Sequence, residues 1–430
     1  MKVLMFGWEF PPYISGGLGT ACYGLTSALS HLGIDIRFVL PTAGSITKKT
    51  HVELIDAGKF GLTGEERENV EMHYSESAPA SRSLEIVPVN TILTPYLSEE
   101  EYLSAYQAVQ IKTTQDAVIA PLAGGYGSSL FSEIHRFAVI GGRIAAEGGF
   151  DIIHAHDWMT CLAGIEAKKV SGKPLILHVH ATEIDRSGDN INQTIFNIEQ
   201  DGMNAADKVI AVSHFTRDIL INRYGIAPEK VCVVHNAVMR HDGAGEGYGK
   251  VFRDRVVLFL GRITMQKGPE YFVQAARQVV DRLRNVRFVM AGTGDLLPKL
   301  IRYAAELRLQ SHFHFTGFLS GSDLERMFAM SDLLVMPSVS EPFGLVPVEA
   351  ISRGLPVIIS KQSGVSEVLP HVEKVDYWDV NKLADTIIGI LINDKRRREQ
   401  IERHHDALIR IDWKHAAELV SGLYDDLTAK

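Results

Sequence analysis

Short apolar runs closed by polar turns recur along the whole chain, and the stretches between them carry helical spacing. In the first half the runs predict strands at Val3 to Gly7, Asp35 to Leu40, Leu84 to Val89, Asp151 to Ala155, Leu175 to His180, Lys208 to Val212 and Val231 to His235. A glycine-rich polar stretch from Met239 to Gly249 interrupts the rhythm, as an interdomain linker would. A second series follows, with strands at Val256 to Leu260, Val286 to Ala291, His312 to Thr316, Leu333 to Met336 and Val357 to Ser360. Strand and helix alternating end to end is the pattern of doubly wound α/β sheets. We therefore expect two facing Rossmann-like domains, 1–240 and 256–410, a linker at 241–255, and an amphipathic terminal helix over 411–430.

Length supports the division, because 430 residues exceed what one core usually holds, and a hydrophobic content of 46% fills two. A net charge of −8 argues against nucleic acid or an anionic membrane surface as partner. The three cysteines, Cys22, Cys161 and Cys232, lie far apart without metal-type spacing, which suits a reducing cytoplasm. No run reaches the ~18 residues of a membrane span, so a soluble protein without integral membrane contact is expected.

The candidate chemistry gathers where strands end. Asp332 to Pro337 reads as a buried strand, and Gly344-Leu345 as the turn into a helix that stops at Gly354. Glu341 then lies at the carboxyl edge of a parallel sheet, where such sheets bind ligands, and Glu349 lies in the following helix. Free N–H groups of residues 344 to 346, just after Phe343 and starting at Gly344 and Leu345, suit an anion, and the two carboxylates suit hydroxyls on either side of it. Nucleotide diphosphate sugars have that form. The loop from Gly261 adds Arg262 and Lys267, two cations able to hold a diphosphate as it leaves. Turns at Gly292 and Gly317 share the edge, either shaping a nucleotide pocket or serving as ordinary strand-to-helix turns.

Opposite them, Gly16, Gly17 and Gly19 follow the first strand and open a helix, a turn in which backbone N–H groups can approach a ligand closely. The run Asp151 to Trp158 puts His154 and His156 on the same side of a strand. A zinc site would need a third and a fourth ligand, and no suitable Cys or His cluster stands nearby in sequence. His178 and His180 end another strand as core or acceptor groups, and the pattern does not choose.

Glu341-x7-Glu349 with Pro-Phe-Gly inside it, the Gly-Arg…Lys-Gly loop and His-x-His-Asp-Trp resemble the motifs of retaining GT-B glycosyltransferases of the family 4 or 5 type. That group includes glycogen and starch synthases and sucrose-phosphate synthases. The resemblance implies a hexosyltransferase that moves a hexose, in the first instance glucose from ADP-glucose or UDP-glucose, to an α-1,4-glucan. It also implies roles: Arg262 and Lys267 for the diphosphate, Glu349 for the ribose, Glu341 for the hexose, and His156 reaching the sugar from the first domain. The terminal helix would cross back to that domain. No Asp-x-Asp motif occurs, so no metal or other cofactor is expected for the transfer. The synthases carry a lysine two residues before the glycine pair, where this chain has Ile14, and their acceptor-side carboxylate falls near Ser132 and Glu133 without an aspartate to match. The alternatives are a retaining mannosyl-, galactosyl- or sucrose-phosphate-type transferase, a nucleotide-sugar epimerase of the same fold, and a non-enzymatic nucleotide-sugar sensor.

Overall fold

The structure, a computed structural model, describes residues 1–11, 16–42, 50–60, 130–238, 250, 253–408 and 411–429. The first domain runs β1 (Lys2–Phe6), α1 (Gly17–His31), β2 (Asp35–Leu40), β3 (Glu53–Asp56), α2 (Leu130–Ala146), β4 (Ile152–His156), α3 (Trp158–Ser171) and β5 (Leu175–Val179). It continues with α4 (Glu183–Ser187), α5 (Gln193–Ala205), β6 (Lys208–Ala211), α6 (His214–Asn222) and β7 (Val231–Val233). Among the described residues its seven strands pair in parallel in the order β3-β2-β1-β4-β5-β6-β7.

The second domain begins with β8 (Arg255–Leu260), α7 (Pro269–Arg282), β9 (Val286–Ala291), α8 (Leu297–Glu306), β10 (Phe313–Gly317), α9 (Gly321–Met330) and β11 (Leu333–Met336). Then come α10 (Leu345–Ser352), β12 (Val357–Ser360), β13 (Glu373–Val375), α11 (Val380–Ile392), α12 (Asp394–Leu408) and α13 (Trp413–Thr428). Six parallel strands are ordered β10-β9-β8-β11-β12-β13. Both sheets are doubly wound, and in both the chain reverses direction next to the first strand, at β1/β4 and β8/β11. Ligands of open α/β sheets bind outside such switch points.

The physical cause is that helices cover both faces of each sheet. The central strands β4, β5, β11 and β12 are buried at every position, so they read as mainly apolar runs, broken only by His154, His156, His178 and Ser360. Strands β3 and β13 were not anticipated from the sequence. Each lies at a sheet edge, is at most four residues long and carries charged, partly exposed positions, so it has no apolar run to announce it. The strand expected at Leu84 to Val89, the residue Ile14 and most of the 241–255 linker lie outside the described residues.

Helix α13 starts after the second sheet is complete and packs on the first domain, against α1 and β4. Trp413 lies over Gly24 so closely that a methyl group on that glycine would stand 2.2 Å from the indole. Ile411, Trp413 and Tyr424 consequently join one apolar cluster with Cys22 and Leu25 of α1 and with Val348 and Ala350 of α10. No helix among the described residues is long and apolar enough to cross a membrane.

Candidate active site

The second-domain rim is built on glycines that bring backbones into contact. Gly292 has φ 139°, and a Cβ there would stand 1.9 Å from the Gly261 carbonyl oxygen. Gly268, at φ 63°, leaves only 2.0 Å between the same hypothetical atom and the Pro337 carbonyl oxygen. No side chain fits either place, so the loops after β8, β9 and β11 stack directly on one another. Gly261 N–H donates to the Ala291 carbonyl at 3.0 Å, and Gly292 N–H donates to that of Gly317 at 2.8 Å, closing the edge.

This stacking brings Lys267 onto Glu341. The Lys267 Nζ donates to Glu341 Oε1 at 2.8 Å and Oε2 at 2.6 Å, and Ser338 Oγ donates to Oε2 at 3.1 Å. The pair is nearly closed to water, with side-chain exposures of 16% and 7%. Glu341 is therefore an ion-pair partner of Lys267, a link that separate sequence motifs do not reveal. Arg262 is exposed, and no hydrogen bond or ion pair holds its guanidinium among the described residues. Phe343 is buried, with its ring beside His235, so its backbone and not its ring faces the helix start. Gly344, at φ 104°, is the N-cap of α10, Leu345 is the first helical residue, and Glu349 lies about one turn in, half-buried.

The first-domain wall is a stack of four imidazoles. The β4–β5 register pairs His156 with His178, so His154, His156, His178 and His180 form one array. Ring centroids are 4.5 Å apart for His154 and His156, 5.2 Å for His156 and His178, and 4.3 Å for His178 and His180. His154 Nδ1 lies 2.6 Å from the Tyr424 hydroxyl on α13, and His156 Nδ1 lies 3.0 Å from His180 Nε2. Five ring nitrogens have no partner: His154 Nε2, His156 Nε2, both nitrogens of His178, and His180 Nδ1. Burial, with the neighbouring imidazole charge of His180, depresses the His154 pKa to about 3. Burial likewise brings His180 to about 3 and holds His156 and His178 well below the usual range. All four are neutral at pH 7.

His156 itself is fully buried, and of the four residues only His180 is partly exposed, with its Nδ1 still buried. Asp157 holds His180 there, since its Oδ1 accepts from the N–H groups of His180 at 2.6 Å and Ala181 at 3.3 Å. Those bonds offset an unfavourable φ of 60° at a non-glycine residue, and burial raises the Asp157 pKa to about 6. Neither role shows in the residue pattern, because both depend on which strand lies beside β4. Gly16 caps α1 and faces open space, Gly17 is exposed, and Gly19 is buried.

Several contacts join the two walls. A Cβ on Gly17 would lie 3.6 Å from Leu345 Cδ1, so the glycine turn of the first domain faces the start of α10. Ser340 Oγ donates to Asp185 Oδ1 at 2.5 Å, one residue before Glu341. Ser213 Oγ donates to the Pro342 carbonyl at 2.5 Å. The Glu367 carboxylate accepts from the N–H groups of His214 and Phe215 at the start of α6, and His235 Nε2 lies 2.8 Å from it. Leu345 thus faces the glycine turn, and Ser340 and Pro342, on either side of Glu341, are held by the first domain.

Residues 95–240 match the Glycosyltransferase Family 4 description and residues 247–406 match glycosyl transferases group 1. An uncharacterised glycosyltransferase of Methanocaldococcus jannaschii is 26% identical over 99% of this chain and 98% of its own. A glycogen synthase of Mycobacterium tuberculosis is 24% identical over 99% of this chain and 94% of its own. Among solved structures, the sucrose-phosphate synthase of Thermosynechococcus elongatus superimposes with a TM-score of 0.73 at 18% identity, covering 100% of this chain and 99% of that one. With both halves matched and the two sheets arranged as described, the chain is a GT-B glycosyltransferase of the group 1 and family 4 type.

Proposed function

We propose that the protein is a retaining, metal-independent glucosyltransferase that moves glucose from ADP-glucose or UDP-glucose to an α-1,4-glucan. The observation that carries the reading is the Lys267–Glu341 pair at the switch point of the second sheet, beside the start of α10, whose Leu345 meets the glycine turn of the first. An ammonium group has three N–H bonds, and two of them are engaged by Glu341. The third, with the free guanidinium of Arg262, meets the diphosphate as negative charge develops on it. Glu341 turns an oxygen to a hexose hydroxyl, Glu349 accepts from the ribose, and the N–H groups at Gly344 and Leu345 face phosphate.

The bond from the anomeric carbon to the diphosphate oxygen breaks, and a bond to the acceptor hydroxyl forms on the same face. The acceptor proton passes to a phosphate oxygen of the leaving group. His180 presents an imidazole to the sugar, and His156, behind it, fixes which nitrogen carries the proton. Catalysis comes from positioning and from charge stabilisation in a cleft that both domains close. Two loop cations supply the positive charge at the diphosphate, so added magnesium or manganese leaves the rate unchanged. The likeness to a glycogen synthase along nearly the whole chain supports the glucan acceptor. The likeness to a sucrose-phosphate synthase favours a second reading, in which a hexose phosphate accepts the glucose.

Nucleoside diphosphate release from ADP-glucose, UDP-glucose and GDP-mannose, with and without glycogen, tests the proposal. Release from one glucose donor, stimulated by glycogen and yielding an α-linked product, is expected. Release stimulated only by a hexose phosphate selects the second reading. Turnover of GDP-mannose alone, or product without an acceptor, rejects both.

A further inference from the structure

The histidine array contains more donor atoms than sugar transfer uses. His154 and His156 are fully buried and His178 nearly so. Each has at least one ring nitrogen without a hydrogen-bond partner, and one nitrogen from each of the three lies within 4.8 Å of the others. Burying a polar atom without a partner is costly, so three imidazoles that each carry such an atom and converge in one place call for a common ligand.

We propose that His154, His156 and His178, with a water as the fourth ligand, hold a divalent transition-metal ion, zinc in the first instance, at a site that ties β4 to β5. The remaining nitrogens suit the arrangement. His154 Nδ1 lies within hydrogen-bond distance of the Tyr424 hydroxyl, and His156 Nδ1 of His180 Nε2. With both Nδ1 atoms carrying the proton the Nε2 lone pairs are free, which is how ligating histidines are oriented by groups behind them. Three imidazoles and no carboxylate select zinc and its neighbours over calcium or magnesium. Coordination at the usual distance would draw the three nitrogens to about 3.4 Å from one another, tilting the stacked rings. Cys22 groups with His156 and His180 nearby, and cobalt(II) spectra separate that set from the three histidines. The ion would stiffen the wall behind His180 without touching the diphosphate.

The site rests on this geometry and not on the transfer reading, and its test reads metal instead of turnover. The full chain is loaded with zinc chloride, desalted and analysed for metal by mass spectrometry. About one equivalent is expected in the wild type and in a His415→Gln surface control, falling at least ~10-fold in His178→Gln and in His154→Gln. Retention of zinc by His178→Gln overturns the proposal, as does a wild type holding less than ~0.1 equivalent. Cobalt(II) loading of the wild type gives a check that needs no variant. Visible bands of tetrahedral nitrogen ligation support the set, whereas a thiolate charge-transfer band places Cys22 in it and overturns the three-histidine assignment. Loss of nucleoside diphosphate release with zinc still bound would strike the transfer reading alone.

Discussion

The Lys267–Glu341 pair gives the residue scale its clearest consequence. Replacing Lys267 by Ala leaves the Glu341 carboxylate buried beside Ser338 without its cation, which costs about 3–5 kcal/mol. On the proposed mechanism the same change removes a charge that meets the leaving group, so turnover should fall at least ~100-fold. The two losses are separable. A Lys267→Met, Glu341→Gln double variant should regain most of the urea stability and none of the turnover, and a near-normal rate in it would remove the pair from catalysis. His178 supplies a second prediction. Its pKa is held well below 6.5 by burial and by the charges of His180, His156 and His154, so the unfolded chain binds a proton that the folded one does not. Stability is therefore lost as pH falls below 6.5, by about 1.4 kcal/mol per unit for this group. Urea unfolding in chelator should show that slope in the wild type relative to His178→Phe, and parallel curves would count against a neutral buried His178.

Among the elements, the loop from Gly261 to Gly268 matters most, because its shape depends on atoms that are missing. Gly268→Ala would force a Cβ to 2.0 Å from the Pro337 carbonyl oxygen at a φ of 63°. Strain and overlap together should cost about 2–5 kcal/mol and lower turnover, since the loop that carries Lys267 must lift off the segment leading to Glu341. Thermal unfolding and initial rates check this, and an unchanged rate would mean the loop does not set Lys267. The loop was legible as glycines flanking two cations. Its partner was not, because Gly268 and Pro337 meet only when β8 and β11 lie side by side. The same holds for Asp157 and His180, which meet because β4 neighbours β5. The edge strands β3 and β13 escaped notice for a different reason, since partly exposed edge positions need no apolar run.

At the scale of the whole molecule, α13 decides how the domains unfold. It follows the second sheet in the chain yet fills the first domain's core through Trp413 and Tyr424, so neither domain keeps its packing alone. The full chain should therefore unfold in a single calorimetric transition. Removing residues 412–430 should split it in two, with the first domain melting earlier. Trp413→Ala should by itself cost about 3–5 kcal/mol, since little else fills the space over Gly24. Two transitions in the intact chain would show that α13 does not couple the domains.

The sequence by itself determined the class of the molecule. Parallel sheets covered on both faces demand unbroken apolar runs separated by helices, and that demand is local enough to be read in order along the chain. It also put the candidate site residues at the carboxyl edges of the sheets, because strand ends and glycine turns mark those edges. Only the tertiary structure decided which of those residues meet. Lys267 reaches Glu341 across 74 positions, His154 reaches Tyr424 across 270, and Ser340 reaches Asp185 across 155. Such pairings follow from strand order and from the return of the terminal helix, and both are set by burial summed over the whole molecule, not by any local pattern.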